Sequence, residues 1–230
     1  IKLRQGVKFH DGTPFNSHAV VLHWKRILNP ENRFRGLLLL GPIASVEASQ
    51  EFEVKFHLHH AWAPFTTFLT IPGGFTALIP SPAAVENGSH NLHPVGTGPF
   101  ALKEWKRGDS ILVTKNPDYW QKNRPFLDEI VFRAIPDHAA RYAALASGQA
   151  DLMITDRASH VKKLEKNPDF TKYPLVWRGA GIFALNNRKP LRDDIRVRRA
   201  FALACDQKKY IRMSFLDIMP YTEHWFGQDW

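Results

Sequence analysis

Three histidines stand close together at His57, His59 and His60, and two glycine-rich stretches carry the spacing of a nucleotide-binding loop. His57 and His59 share one face of a strand, so two imidazoles could meet one metal ion. No third ligand accompanies them, and the plainer reading is a solvent-facing strand that carries histidine. His18 and His23 are five residues apart, off a common helical face, and do not chelate together. Gly96-Thr97-Gly98-Pro99-Phe100-Ala101 and Gly179-Ala180-Gly181-Ile182-Phe183-Ala184 both match G-x-G-x-x-A. The first does not follow a strand, and Pro99 removes a backbone donor that a phosphate would need. The second runs on into a strand where the motif requires a helix N-terminus. No cofactor and no metal site are therefore expected. The single cysteine, Cys205, excludes a disulfide framework and a cysteine-based zinc site. It falls in an apolar helix and reads as a small core residue rather than a nucleophile. Asp193-Asp194 opens a helix, where capping accounts for both carboxylates. With no Gly-x-Ser-x-Gly and no Walker-type Gly-Lys-Ser/Thr, no catalytic residue stands out and an enzyme is not expected.

The 230 residues allow one large domain or two small ones. Hydrophobic residues make 44% and charged residues 23%, which excludes a disordered or collagen-like chain. No apolar run approaches the length of a membrane span. Lys plus Arg exceeds Asp plus Glu by 31 to 22, a net charge of +9. The excess is thinly spread, densest at Lys162-Lys163 and along Arg192, Arg196, Arg198 and Arg199. No binding motif accompanies it, so a basic solvated surface is expected rather than a nucleic-acid site. The chain opens on Ile1 without a signal peptide and reads as a fragment or processed form.

The elements that would position any site follow from pattern. Asn16 or Ser17 caps a helix whose Val20, Val21, Trp24, Ile27 and Leu28 share one face, and Asn29-Pro30 ends it. Ile43 to Ala48 is a strand. In Glu51 to His59, Phe52, Val54, Phe56 and Leu58 alternate with Glu53, Lys55, His57 and His59, so the aromatic and aliphatic set faces a core and the histidines face water. Pro64 to Thr70 is a short helix or turn, Ile71 to Gly74 a loop, and Pro80-Ser81-Pro82 opens another helix. Asn87 to Gly98 is loop-like. Phe100 to Trp105 and Ser110 to Lys115 form a hairpin around Arg107-Gly108-Asp109. Asp128 to Ile135 is a strand, and Asp137 caps a helix that Gly148 terminates. Strands follow at Ala150 to Ile154, Leu175 to Arg178 and Gly181 to Asn186, with a helix from Ala158 to Lys166. Asp193 or Asp194 caps a last helix through Ala204. The pattern is mixed α/β with a boundary near Lys103 to Gly108.

Several blocks, in order, resemble the extracytoplasmic solute-binding proteins of ABC importers, family 5. Leu3-Arg4-Gln5-Gly6-Val7-Lys8-Phe9-His10-Asp11-Gly12-Thr13-Pro14-Phe15 is similar to the family's LRxGVKFHDGxPF signature. His93 to Phe100 resembles the VGTGPF block, Asn116 to Trp120 NPDYW, and Leu127 to Phe132 LDEIVF. Ala144 to Asp151 resembles ALxxGExD, and Pro190 to Ala200 PxDDxRVRQA. Cys205-Asp206-Gln207 departs from the family's Ile-Asp-Arg, and the likeness fades after Arg212.

The resemblance implies part of a two-lobed periplasmic-binding-protein fold (type II, cluster C). Residues 1–104 would be an accessory lobe, 105–206 part of the first main lobe, and 207–230 the start of a second. It implies capture of an oligopeptide, dipeptide or glutathione-like, by hinge closure and delivery to an ABC permease in the membrane. A periplasmic or extracytoplasmic monomer with no nucleic-acid partner is expected. The alternative is a nickel or metal-chelate binder that uses the histidine-rich first lobe. Most signature residues read as structural, with Tyr119-Trp120 an apolar anchor for a loop. For a peptide ligand, the candidate ligand-facing segments are Ile71 to Thr76 and, with Gly181, Gly179 to Asn186; Gly73 and Gly74 would let the ligand approach their amides closely, and Phe75 and Phe183 would supply apolar walls. The competing reading is a surface turn for the first segment and an interior strand for the second.

Overall fold

The structure, a computed structural model, describes residues 1–34, 36, 40–70, 78–173, 185–190, 193–216 and 218. It divides into two compact units, Ile1–Ala134 and Ile135–Trp230.

In the first unit, helix α1 (Ser17–Leu28) is capped by Asn16, whose carboxamide accepts from the Ala19 amide at 3.3 Å. The helix packs on an antiparallel pair, β1 (Ile43–Gln50) and β2 (Glu53–Leu58). Its Val20, Trp24 and Ile27 meet Ile43, Val46 and Val54 in one buried cluster, with Leu40 beside them. The expected alternation in β2 holds. Val54 is fully buried, Phe52, Phe56 and Leu58 are half-buried, and His57 and His59 are exposed. In β1 the two buried residues, Ile43 and Val46, are three apart instead of two. A register shift between Ile43 and Ser45 explains this, because one extra residue returns Val46 to the core face. Trp24 meets Phe56 edge-on at 5.1 Å, and Phe56 meets Phe65 at 5.2 Å, which ties the short helix α2 (Phe65–Leu69) to the core. The first residues lie along β2: Leu3 donates to Phe52 O at 2.8 Å, and Val54 donates to Ile1 O at 2.9 Å.

Helix α3 (Pro82–Glu86) follows Ser81 and leads to a second sheet of order β3 (Phe100–Lys106), β4 (Ser110–Lys115) and β5 (Glu129–Arg133), all antiparallel. The β3–β4 turn needs Gly108, which sits at φ +77. The expected lobe boundary at 104/105 falls within β3, whereas the compact units divide after Ala134. The chain stays in one unit through this stretch because the β3–β4–β5 ladder is continuous.

In the second unit, Asp137 caps α4 (His138–Ala146) through the Ala140 amide at 2.7 Å, and Gly148 closes it at φ +74. Helix α5 spans Ala158–Leu164 and α6 Ile195–Ala204, with Asp194 as the latter's cap. A further helix, α7 (Gln207–Phe215), is capped by Asp206. Three expectations are corrected. Ala150 to Ile154 is not a strand: among the described residues it has no ladder partner, and Leu152 and Ile154 are exposed. Its backbone is held instead by Arg141, which donates to Ile154 O at 3.1 Å while also holding Ile135 O at 3.0 Å. Cys205 is exposed, not a core residue, because α6 stops at Ala204 and Cys205 is the link to the Asp206 cap. Trp120 does not enter a core; it lies at the surface with the Arg4 guanidinium 4.2 Å above its ring. The strand expected at Leu175 to Arg178 lies outside the described residues, as does Gly181 to Ala184 of the strand expected to run on to Asn186; Leu185 and Asn186 are described and are not in a strand.

Candidate functional site

Chemistry-bearing side chains of the first unit converge where Val7 to Phe15 meets Ser81, Gly96 to Pro99 and Asn116. Val7 to Phe15 forms a tight hairpin: Phe15 donates to Val7 O at 2.9 Å and Phe9 to Thr13 O at 2.8 Å, with Gly12 at φ +84 making the turn. Val7 and Phe9 are buried by it. His10 then reaches the Gly96–Gly98 loop with both ring nitrogens. Nε2 donates to Gly98 O at 3.0 Å, Nδ1 accepts from the Gly96 amide at 3.4 Å, and the His10 amide donates to Gly96 O at 2.9 Å. A neutral imidazole with its proton on Nε2 satisfies both ring contacts. Asn116, nearly fully buried, donates to the same Gly98 carbonyl at 3.0 Å, and its side-chain oxygen accepts from the Asp118 amide at 3.0 Å.

Ser81 is the other fixed point and has no exposed surface. Its hydroxyl donates to Asp11 Oδ2, and its amide donates to Val95 O at 2.9 Å. The remaining Asp11 oxygen accepts from the Thr13 hydroxyl at 2.6 Å and the Thr13 amide at 3.0 Å. Burial alone would raise the Asp11 pKa. The hydrogen bonds from Ser81 and Thr13 outweigh it and hold the carboxyl below its ordinary value of 3.8. Donors and acceptors in this cluster meet one another, so it locks three loops together and offers no activated nucleophile or acid–base pair.

A pH dependence follows. Because folding lowers the Asp11 pKa, its hydrogen bonds add stability that is complete above 3.8 and is lost as pH falls through the lower native value. Asp11→Asn is expected to flatten part of the acid limb of a melting-temperature profile, with its loss of stability largest at neutral pH and smallest below the native Asp11 pKa. Glu47, Glu165 and Asp194, also held low by their partners, keep the rest of that limb. An unchanged acid limb in Asp11→Asn would remove this role.

Beside the lock, an open groove runs between Leu92–Val95 and β3, with Trp105 in its wall and Arg107 5.6 Å from that ring. Its Lys103 and Glu104 are tied to Glu129 at 2.8 Å and Lys106 at 3.4 Å.

Of the residues singled out from sequence, Gly73, Gly74, Phe75, Gly181 and Phe183 lie outside the described residues. His57 turns away from metal chemistry toward Glu47, with Nε2 3.0 Å from Oε1; this contact, and then Lys55, lowers the Glu47 pKa. His60 meets the Ala61 carbonyl at 3.1 Å. Among the described residues no group of three or more His, Cys, Asp or Glu is placed to hold a metal ion. Gly96 to Ala101 leads into strand β3, not into a helix. The roles of His10, Ser81 and Asn116 escaped sequence reasoning. The available signals were a serine between Pro80 and Pro82 and an Asn-Pro pair that favours a side-chain turn.

Among the described residues no helix is long and apolar enough to cross a membrane. A family model described as "Bacterial extracellular solute-binding proteins, family 5 Middle" matches residues 1–217. The glutathione-binding protein GsiB of Escherichia coli O1:K1 is 34% identical over 94% of this chain. The chain spans 42% of the length of that relative. Among solved structures, the periplasmic binding protein DppA from Helicobacter pylori, in complex with peptide STSA, superimposes with a TM-score of 0.76. Its identity is 29%, over 94% of this chain and 46% of DppA. NikA from Brucella suis, in complex with Fe(III)-EDTA, gives a TM-score of 0.72 at 25% identity, over 94% of this chain and 44% of NikA. The mixed α/β fold is that of the type II, cluster C periplasmic binding proteins. With the family model covering nearly its whole length, the chain belongs to the bacterial extracellular solute-binding proteins, family 5.

Proposed function

We propose that this chain is part of the substrate-binding component of an ABC importer, which captures an oligopeptide outside the cytoplasm and delivers it to a membrane permease. A dipeptide or glutathione-like peptide is the favoured ligand. The observation that carries this reading is the match to the family 5 model over residues 1–217, supported by the likeness to a glutathione-binding protein and to a peptide-bound DppA. Capture would be by closure of lobes around the ligand, without covalent chemistry. Residues 1–104 would be the accessory lobe, 105–206 part of the first main lobe and 207–230 the start of the second. The working unit would be a monomer. Gly73, Gly74, Phe75, Gly181 and Phe183 remain the proposed ligand-facing residues. A nickel or metal-chelate ligand is the second reading, favoured by the likeness to NikA bound to Fe(III)-EDTA.

A thermal-shift screen of the protein from its complete gene against dipeptides, glutathione and nickel–histidine separates the two. A rise in melting temperature with peptide or glutathione, and none with nickel–histidine, is expected. The reverse pattern would replace the first reading with the second. Gly74→Val is expected to weaken peptide binding while leaving the melting temperature of the unliganded protein nearly unchanged. Undiminished binding in Gly74→Val would remove Gly74 from the site.

A further inference from the structure

The described residues contain two pairs in which aspartate or asparagine precedes glycine, Asp11–Gly12 and Asn87–Gly88, and their surroundings differ sharply. Such pairs can cyclise, because the glycine nitrogen can attack the preceding side-chain carbon and glycine has no Cβ to shield the approach. At Asp11 the carboxyl is held ionised by Ser81 and Thr13, and a carboxylate is a poor electrophile. At Asn87 the group is a neutral carboxamide on an exposed residue, just past the five-residue helix α3. The Ser89 amide donates to its Oδ1 at 2.8 Å, which folds the carboxamide back over the Asn87–Gly88 peptide and draws electron density from Cγ. Gly88 is exposed at φ +73, and an added Cβ would meet no heavy atom within 4 Å.

We propose that Asn87–Gly88 is a site of spontaneous covalent modification, at which Asn87 deamidates to isoaspartate and aspartate. The Gly88 nitrogen loses its proton to solvent and bonds to Asn87 Cγ; Nδ2 takes up a proton from solvent, the Cγ–Nδ2 bond breaks, and Nδ2 leaves as ammonia. The resulting succinimide is opened by water. Attack at the main-chain carbonyl carbon breaks its bond to the Gly88 nitrogen and gives isoaspartate, while attack at Cγ gives aspartate. No oxidant or reductant is involved. The step requires release of the Gly88 amide from Val85 O, a 3.1 Å bond at the frayed end of a one-turn helix. The products place a carboxylate at the C-terminal end of α3, where the helix dipole disfavours it. Isoaspartate also adds a backbone atom ahead of the Ser89–Asn91 turn, which carries His90 to within 3.1 Å of Arg26.

The test is ageing of the folded 230-residue chain in mildly alkaline buffer, followed by peptide mapping with isoaspartate detection. A synthetic peptide of residues 83–92 serves as the measure of intrinsic chemistry. Conversion at Asn87 in the folded chain is expected to be at least about tenfold faster than at Asn91 or Asn123, which precede residues with side chains. It should be absent in Asn87→Gln and strongly slowed in Gly88→Ala. A folded chain that keeps Asn87 intact while the peptide converts would overturn the proposal, because the fold would then protect the site. Conversion concentrated at another asparagine would overturn it equally.

Discussion

Trp24→Ala is expected to destabilise the first unit by about 3–5 kcal/mol, the usual cost of deleting a large buried aromatic. Trp24 is 2% exposed and joins helix to sheet: it lies in the cluster with Val20, Ile27, Val46 and Val54 and meets Phe56 edge-on. Its removal leaves a cavity that α1 cannot close, because the helix is pinned at one end by the Asn16 cap and at the other by the Asn29–Arg33 turn. Phe56→Ala should cost less than Trp24→Ala, since Phe56 is only half-buried and its other aromatic neighbour, Phe65, can settle toward the gap. Denaturant unfolding followed by circular dichroism measures both. A Trp24→Ala loss within about 0.5 kcal/mol, the range of ordinary surface changes, would mean the cluster is not the core.

The second large effect is expected at Asn116. Asn116→Leu keeps the volume but removes the donor to Gly98 O and the acceptor for the Asp118 amide, at a cost of about 1–3 kcal/mol. The Gly98 carbonyl retains His10, so the two side chains that share it should be coupled. A double-mutant cycle of His10→Ala and Asn116→Ala is expected to show an interaction energy of about 0.5–3 kcal/mol. Strict additivity would mean that the Gly98 carbonyl is not a shared pin between the His10 hairpin and Asn116 at the end of β4.

Local pattern made part of this legible in the sequence. The alternation of Phe52, Val54, Phe56 and Leu58 needs no partner to be read, and neither does the apolar face of α1 with its Asn16 cap. The turn residues around Gly108 marked the β3–β4 hairpin in the same way. What stayed hidden depends on distant neighbours. Ala150 to Ile154 has strand-like composition, but a strand exists only where another edge pairs with it, and Arg141 holds its backbone instead. Cys205 looked internal because Ala200 to Ala204 is apolar, yet the Asp206 cap ends the run and starts α7. Trp120 looked like an anchor by size alone; its actual partner, Arg4, is far away along the chain. The lock made by His10, Ser81 and Asn116 joins residues separated by up to 88 positions, which no local period encodes. The signature blocks nevertheless conveyed the family, because several of them mark local geometry that residue type sets: the Val7 to Phe15 hairpin, the β5 strand within Leu127 to Phe132 and the Asp194 cap of α6.

The central claim, peptide capture between lobes, is tested most directly by calorimetry of glutathione and a set of dipeptides. The protein expressed from its complete gene is compared with the 230-residue chain under the same conditions. Saturable one-to-one binding by the former, and weak or absent binding by the latter, is what the proposed two-lobed cleft predicts, since residues 207–230 would supply only the start of its second lobe. Equal affinity in the two proteins would contradict capture between lobes, and no binding of any peptide by either would contradict the peptide reading itself.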